Sequence, residues 1–422
     1  MSVAFAPALG TALRRPALRP FWLAQFLVYL AQQAWQTLVL WALLRLTGQA
    51  AWVALGLVAQ SVPAIVVGVV GPARLRPPRG LFLLPLGAGV CLLALALVMA
   101  TGAPPTVAAS VLLAGAVAEG LLAAAQVPLL QADLARAVAP GSLAAANAAM
   151  EFSSSVGGLA GPVLCGLALA GPGIVATLAG AAVVMVLAAP AVAAWQRRTA
   201  MPTLPRGGQR RAGVAGGLRT AASHVRGDTF VRTALATRTV NNLLWPVLTV
   251  ALPLLVADRW HAGALGYGLL LGARGLGGLV GTALGARLGS RGLASAFFAA
   301  WVVEAMAFVG LAVSPQLSPA LLCTAVAGVA SPLIHVALDS RIGRAVAEEA
   351  RGAVFGLQRM AMSAAGLAGS LGAGAALGLL PVEPVLAAAG AAVAACAVAG
   401  YGVARRGGGL DEAAAGPVGG GR

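Results

Sequence analysis

Twelve apolar stretches, each about as long as a membrane-spanning helix, divide this chain of 422 residues. Crossing about 30 Å of hydrocarbon takes roughly 20 apolar residues in a helix. Only 9% of the residues are charged, against about 25% in a soluble domain. Lipid offers no partner to backbone polar groups, and stretches this long and uniformly apolar are not typical of membrane strands. The sequence therefore predicts an all-α membrane protein with twelve transmembrane helices.

The arginines fall almost entirely in every second gap between these stretches, which predicts the topology. Arg45 and Arg259 lie on the opposite side, and Arg238, Arg274 and Arg359 lie inside spans. Cytoplasmic loops carry an excess of basic residues, so we expect both termini in the cytoplasm. The predicted spans are 21–46, 51–73, 80–101, 105–131, 143–170, 173–196, 230–257, 264–288, 292–313, 317–340, 353–378 and 382–404.

The basic charge and the cysteines exclude several classes of protein. The net charge of +16 is explained by topology signals against an anionic leaflet, so we expect no nucleic acid partner. The four cysteines are widely separated within spans and form no metal-ligand or disulfide pattern. No nucleotide-binding loop or catalytic constellation stands out, so we expect no enzyme, no cofactor and no metal site. The expected partners are the lipid bilayer, a small-molecule substrate and protons, and we expect a monomer.

The longest polar gap divides the spans into six plus six. We predict an N-terminal six-helix half at 1–196, a cytoplasmic linker at 197–229, a C-terminal six-helix half at 230–406 and a disordered tail at 407–422. A weak internal repeat supports two related halves, because GGLAG at Gly157–Gly161 recurs as AGLAG at Ala365–Gly369. Transporters built from two halves place their substrate site near the bilayer midplane between them.

Four segments, in order along the chain, resemble the major facilitator superfamily, and most closely its branch of bacterial drug and siderophore exporters. They are FWLAQFLVYLAQQAWQ at 21–36, the Asp133–Asn147 loop, the Gly-Pro segment GGLAGPVLCG at 157–166 and RGAVF at 351–355. The resemblance covers nearly the whole chain. It implies a protein of the bacterial inner membrane that exports a drug, antibiotic, siderophore or other small amphipathic metabolite, by alternating access and proton antiport.

Two positions depart from the pattern of that branch. The loop GPARLRPPRG at 71–80 keeps the positions of Gly71, Arg76 and Arg79, but Leu75 replaces an acidic residue. Gln32 stands where the branch often has an aspartate, and an amide does not titrate. These departures leave two alternatives open: a receptor or assembly partner of transporter-like fold that does not pump, and an importer of the same fold.

Ionisable residues inside spans are candidates for proton coupling, because burying such a charge costs roughly 2.5–3.5 kcal/mol on insertion scales. Glu119 lies near the middle of span four, which by resemblance lines the central cavity. It is a candidate to take up and release a proton, and the alternative is a local hydrogen bond, for example to Gln126. Arg274 and Glu304 lie at similar depth, about 15 Å below the outer edge, and are expected to form a buried ion pair.

His335 in span ten is a further candidate for proton transfer. It lies four residues before Asp339 and therefore on the same helix face. A histidine can titrate near pH 6.5, so His335 is a candidate proton relay. The alternative is a neutral, hydrogen-bonded side chain.

Polar residues at helical spacing in spans one and seven are candidates to line a substrate cavity. In lipid such a stripe must face protein or water. The alternative is hydrogen bonding between helices. The candidates are Gln25, Tyr29, Gln32, Gln33 and Gln36 in span one, and Arg238, Asn241, Asn242 and Trp245 in span seven.

Charged residues near the predicted inner face are candidates for a cytoplasmic gate. We expect Asp133 to bind Arg76 or Arg79 within its own half. Asp339 is expected to pair with Arg341, Arg344 or an arginine of the loop before span nine. Glu151 is expected to reach that same loop. The candidate gate residues are Gly71, Arg76, Arg79, Asp133, Glu151, Arg287, Arg291, Asp339 and Arg359.

Overall fold

A computed structural model of the chain confirms the predicted fold class. Twelve helices are long and apolar enough to cross a membrane, and no strand occurs among the residues described. The backbone satisfies its hydrogen bonds within each helix, as a lipid environment requires. The structure describes residues 19–70, 76–77, 80–137, 143–199, 223, 225–285, 293–346 and 348–407.

The helices are numbered in chain order. They are α1 (Arg19–Thr47), α2 (Ala50–Val70), α3 (Leu83–Ala100), α4 (Pro105–Ala137), α5 (Leu143–Ala170), α6 (Gly173–Thr199), α7 (Thr229–Leu254), α8 (Gly263–Gly285), α9 (Leu293–Val313), α10 (Leu317–Ala345), α11 (Glu348–Leu379) and α12 (Val382–Arg406). A π-helical turn, Leu255–Arg259, extends α7. The predicted spans match these helices, but α4, α10 and α11 run further at their expected cytoplasmic ends. A helix can continue there because its backbone stays bonded while polar side chains reach water.

Tight turns join successive helices on the side where few arginines lie. Gly48, Gly102, Gly173 and Gly263 have φ angles of 67°, 70°, 86° and 63° in the turns before α2, α4, α6 and α8. This left-handed backbone region is open to glycine at no steric cost, so glycine allows the chain to reverse within a few residues.

The chain divides into two compact units. Unit 1 consists of residues 1–207 and 252–276, and unit 2 of residues 208–251 and 277–422. The core of unit 1 includes Phe21, Trp22, Leu81 and Trp195, with the rings of Phe21 and Trp195 centred 4.7 Å apart. Because α8 is divided between the units, the limits of the two six-helix halves stay a prediction.

The core of unit 2 is built around aromatic rings of α7, α9 and α12. Phe230, Phe297, Phe298 and Tyr401 meet edge to face with centroids 5.0–6.0 Å apart. Large apolar side chains such as Leu379 remain exposed on the outside. Apolar side chains on the outside suit helices that face lipid. Polar side chains are instead held in the packed core.

The repeated glycines have the same packing role in each unit. A β-carbon added to Gly161 of α5 would lie 2.8 Å from the carbonyl oxygen of Leu30 in α1. A β-carbon on Gly369 of α11 would overlap the backbone of Leu243 in α7. Small residues let two membrane helices approach at backbone distance. The GGLAG and AGLAG segments therefore each pack a helix against the first helix of the predicted half.

Candidate functional site

Four polar side chains of α1 and α4 are buried within unit 1. Glu119 of α4 is 4% exposed, and Gln25, Gln32 and Gln126 are also buried. Gln25 and Gln32 lie seven residues apart on α1, and Gln126 lies seven residues after Glu119 on α4, so each spacing is about two helical turns. The structure thus buries the predicted coupling candidate, Glu119, in the interior of its unit, which also buries these three amides.

Several polar atoms of these buried side chains have no protein partner. Within the described part of the chain, no group lies at hydrogen-bond distance from Glu119 Oε1, from either amide atom of Gln126, or from Nε2 of Gln25 and Gln32. The alternative of a bond between Glu119 and Gln126 is therefore wrong in this structure. Buried polar groups without partners are uncommon in folded proteins, and each calls for an explanation.

The other polar residues of α1 have different surroundings. Tyr29 and Gln33 border the contact with α5, because a β-carbon on Gly157 or Gly161 would lie 2.8 Å from their Cβ atoms. Gln36 is exposed. The predicted stripe therefore includes two residues at a helix contact, and its role as a cavity wall stays a prediction.

The polar residues of α7 divide between helix packing and burial without partners. Asn242 donates its Nδ2 hydrogen to the carbonyl oxygen of Met362 in α11, at 2.6 Å. That bond corresponds to the alternative of helix packing. Asn241, 1% exposed, has no protein partner for either amide atom among the described residues. Trp245, one turn further, meets the ring of Phe308 with centroids 6.0 Å apart.

Two ion pairs link α7 to α10 within unit 2. In one the aspartate lies at the start of α7 and the arginine on α10, and in the other the arginine lies on α7 and the aspartate on α10. Arg341 Nε donates to Asp228 Oδ2 at 3.1 Å. Arg238 NH1 lies 3.9 Å from Asp339 Oδ1, which is an ion pair but exceeds hydrogen-bond distance. Asp339 was expected to pair with Arg341, Arg344 or an arginine of the loop before α9. It does not pair with Arg341, because Asp228, at the start of α7, occupies that guanidinium; the side chains of Arg344, Arg287 and Arg291 lie outside the described part of the chain.

Asp228 is a structural residue that the sequence analysis missed. Its Oδ1 accepts the backbone N–H of Val231 at 2.9 Å and so caps α7. An aspartate directly before an apolar helix is a recognisable start signal, so the sequence did contain it. Arg341 also lies over the Phe230 ring, with the guanidinium carbon 5.9 Å from the centroid.

Arg76 and Asp133 form the ion pair expected within the first half. The two guanidinium NH groups donate to the two carboxylate oxygens at 2.8 and 2.7 Å, and Asp133 is fully buried. This bidentate geometry matches the planar fork of arginine to a carboxylate. The contact is confirmed, and its role in a cytoplasmic gate stays a prediction.

The remaining candidates stay predictions. Glu304 of α9 is buried and Arg274 of α8 is partly buried; they belong to different units. His335 is exposed, and its Nδ1 lies 2.9 Å from the carbonyl oxygen of Ser331. Arg359 is exposed. Outside the described residues lie Gly71, Arg79, Arg287, Arg291 and the side chain of Glu151.

Twelve apolar helices in the described part of the chain, which hold buried ionisable and amide side chains, define a multi-pass membrane protein. The chain belongs to the transmembrane secretion effector family, because the family model of that description matches residues 4–415. The predicted membership of the major facilitator superfamily is thereby confirmed.

Solved structures of transporters share this fold at low sequence identity. A POT family transporter in complex with a thioalcohol-conjugated peptide is 10% identical, with a TM-score of 0.68 over 94% of this chain and 96% of that chain. The nucleoside transporter NupG is 11% identical, with a TM-score of 0.67 over 92% and 99%. A bacterial homologue of the iron transporter ferroportin, in its inward-facing state, is 16% identical, with a TM-score of 0.63 over 91% and 98%. No curated protein matches the sequence.

Proposed function

We propose that this chain is a secondary active transporter that exports a small amphipathic organic compound in exchange for protons. The observation that carries the proposal is Glu119, a carboxyl group buried in the middle of a membrane-spanning helix, one of whose oxygens has no hydrogen-bond partner among the described residues. Burying an ionisable group in a span costs roughly 2.5–3.5 kcal/mol on insertion scales, and such groups commonly serve proton or ion pathways.

Proton exchange at Glu119 follows from the electrostatics of burial. A protonated carboxyl group is neutral and can remain in the packed interior of unit 1, whereas a carboxylate needs water or a cation nearby. As access alternates between the two sides, the group takes up a proton where water reaches it from outside and releases it on the inside. The amides of Gln25, Gln32 and Gln126, buried in the same unit, have donors without a protein partner among the described residues, and these donors can bind water that solvates a carboxylate.

The description of the matched family as a secretion effector supports export rather than import. Buried amides and aromatic rings favour a substrate with both polar and apolar parts, such as a drug, antibiotic, siderophore or related metabolite. The arginine distribution supports cytoplasmic termini, and the family supports placement in the bacterial inner membrane, where the proton gradient supplies the energy. We propose that the protein acts there as a monomer.

Efflux in everted membrane vesicles tests this proposal. The vesicles are energised with a proton gradient, and the movement of ethidium, a cation, and of sulforhodamine B, whose sulfonate groups make it an anion, is followed for wild type and for Glu119→Gln. Wild type is expected to accumulate at least one dye only while the gradient is present. Glu119→Gln is expected to lose gradient-dependent accumulation, because glutamine has the size of glutamate but carries no exchangeable acid proton.

The matched control is Glu383→Gln, the same substitution in the first turn of α12. It is expected to transport like wild type. Normal gradient-driven efflux in Glu119→Gln would remove Glu119 from the mechanism. Dye movement in the reverse direction would favour an importer, and the absence of any movement in wild type would favour the non-pumping alternative.

A further inference from the structure

Among the described arginines of unit 2, Arg238 has the most buried side chain. It is 6% exposed, and NH1 has no protein hydrogen-bond partner in the part of the chain that is described. By contrast, Arg341 donates to Asp228 at 3.1 Å. An arginine in a span must have its donors satisfied or the burial is costly. The positive charge of Arg238 and the hydrogen-bond donors of its NH1 nitrogen are therefore available to another acceptor.

Asn241 lies beside Arg238 on the same face of α7. The two residues are three apart, a spacing that makes side chains neighbours on a helix. Asn241 is 1% exposed, and neither its Nδ2 donor nor its Oδ1 acceptor has a protein partner among the described residues. Asn242, the next residue, uses its donor on Met362 of α11. Asn242, four residues after Arg238, shares this face, but its donor is already bonded to α11, so Asn241 carries the amide whose donor and acceptor are unused.

Asp339 is a weak counter-ion for Arg238. The shortest distance between the charged groups is 3.9 Å, and the Asp339 side chain is 49% exposed. A half-exposed carboxylate can turn towards water at low cost, while Arg238 cannot follow it from its buried position. The geometry thus leaves room for a different anion to replace the aspartate at the guanidinium.

We propose that Arg238 and Asn241 bind the anionic group of the transported compound, which replaces Asp339 at the Arg238 guanidinium. This inference rests on the proposed transport function and names its substrate class: an amphipathic organic anion. A carboxylate, phosphate or sulfonate accepts hydrogen bonds from the Arg238 guanidinium and from Asn241 Nδ2. Asn241 Oδ1 accepts one more hydrogen bond, which favours a hydroxyl or amine group next to the anion.

The aromatic part of such a compound has a neighbour on the same helix. Trp245 lies four residues after Asn241 and seven after Arg238, so all three occupy one face of α7. The Trp245 ring packs edge to face on Phe308, which fixes its position. This face of α7 therefore presents a positive charge, an amide and an aromatic ring in succession. A compound with an anionic group and an apolar body can contact all three.

Equilibrium binding to the purified full-length protein tests the proposal. The probe is radiolabelled 1-hydroxy-2-naphthoate, which carries a hydroxyl beside a carboxylate, and the comparison compound is 1-hydroxy-2-naphthamide. Wild type is expected to bind the acid about tenfold or more tightly than the amide, because charge-assisted hydrogen bonds are about twice as strong as neutral ones. Arg238→Gln is expected to abolish that preference, and Arg238→Lys to retain part of it.

Two further variants separate binding from structural support. Arg232→Gln is the matched control, since Arg232 is exposed on the same helix and should leave the preference unchanged. Asp339→Asn removes the competing carboxylate and is expected to raise the affinity for the acid severalfold. A purely structural ion pair predicts the opposite, because its loss strands a buried charge and destabilises the protein without any gain in binding.

Equal binding of acid and amide by wild type overturns the proposal, as does weaker binding of the acid in Asp339→Asn. Its failure is distinguishable from failure of the transport function. If vesicles still export a cationic dye in a gradient-dependent way while the acid shows no preference, the anion site alone is wrong. If Arg238-dependent binding of the acid is present but no solute moves, the transport function is wrong and the site stands.

Discussion

Replacing Gly369 with alanine tests how closely α11 approaches α7. A β-carbon at this position would overlap the Leu243 carbonyl oxygen, and would lie 2.8 Å from its carbonyl carbon and 3.1 Å from its Cα. These are backbone atoms, so the clash cannot be relieved by rotating a side chain. One of the two helices has to move.

Gly372, three residues further along α11, gives the matched control because a β-carbon there meets nothing within 4 Å. Replacing a helical glycine with alanine adds about 1 kcal/mol of helix propensity at either site. That gain cancels in the comparison. The difference between the variants is then the packing cost, which is about 1–3 kcal/mol for added volume in a tight contact.

Unfolding of the purified protein in mixed micelles of increasing SDS content, followed by tryptophan fluorescence, measures this difference. Gly372→Ala is expected to be as stable as wild type or more stable. Gly369→Ala is expected to lie about 1–3 kcal/mol below Gly372→Ala. Equal stability of the two variants would refute the close backbone approach and, with it, the packing role assigned to the repeated AGLAG segment.

Two further predictions concern charged residues, and the same unfolding measurement checks both. Arg76→Gln removes two charge-assisted hydrogen bonds from the buried carboxylate of Asp133, so we expect a loss of about 3 kcal/mol; a loss below 1 kcal/mol would contradict a bidentate pair. Asp228→Ala removes both the cap of α7 and the partner of Arg341, whereas Asp228→Asn can keep the cap. We expect the alanine variant to be about 1 kcal/mol less stable than the asparagine variant, and the reverse order would count against the cap.

Length and hydropathy were enough to predict the fold class and nearly all helix positions. The lipid environment requires helices of a certain length, and glycine permits the left-handed backbone of turns such as those at Gly48 and Gly102. Helix ends on the arginine-rich side were predicted too short, as for α4, which reaches Ala137. Apolar runs report the hydrocarbon boundary, and a helix continues beyond it wherever its backbone remains bonded.

The partners of charged residues could be predicted only where sequence limited the choice. Asp133 was expected to pair with Arg76 or Arg79, since all three lie at the expected cytoplasmic face of one predicted half. Arg341, which is close in sequence, was one of the partners expected for Asp339, but Arg341 binds Asp228 instead and Asp339 lies near Arg238. Residues two apart on a helix do not face each other, so the three-dimensional approach of α7 decides this pairing.

For the buried amides too, the sequence predicted some features of their placement and not others. Helical spacing in spans one and seven predicted which residues share a stripe, but not which of them meet a neighbouring helix. Asn241 and Asn242 are adjacent in sequence, yet Asn242 bonds to α11 while Asn241 has no protein partner among the described residues. A difference of about 100° around one helix separates a packing residue from a candidate binding residue.

Proton movement during substrate flux tests the central claim, proton-coupled export through Glu119, most directly. The protein is reconstituted into liposomes that contain a pH-sensitive dye, and a gradient of a transported dye is imposed across the membrane without a pH gradient. In wild type, movement of the transported dye is expected to drive protons in the opposite direction and change the internal pH. Glu119→Gln is expected to show no such change, while Glu383→Gln behaves as wild type. Dye flux in wild type with no change in internal pH, or an unchanged proton signal in Glu119→Gln, would contradict the account.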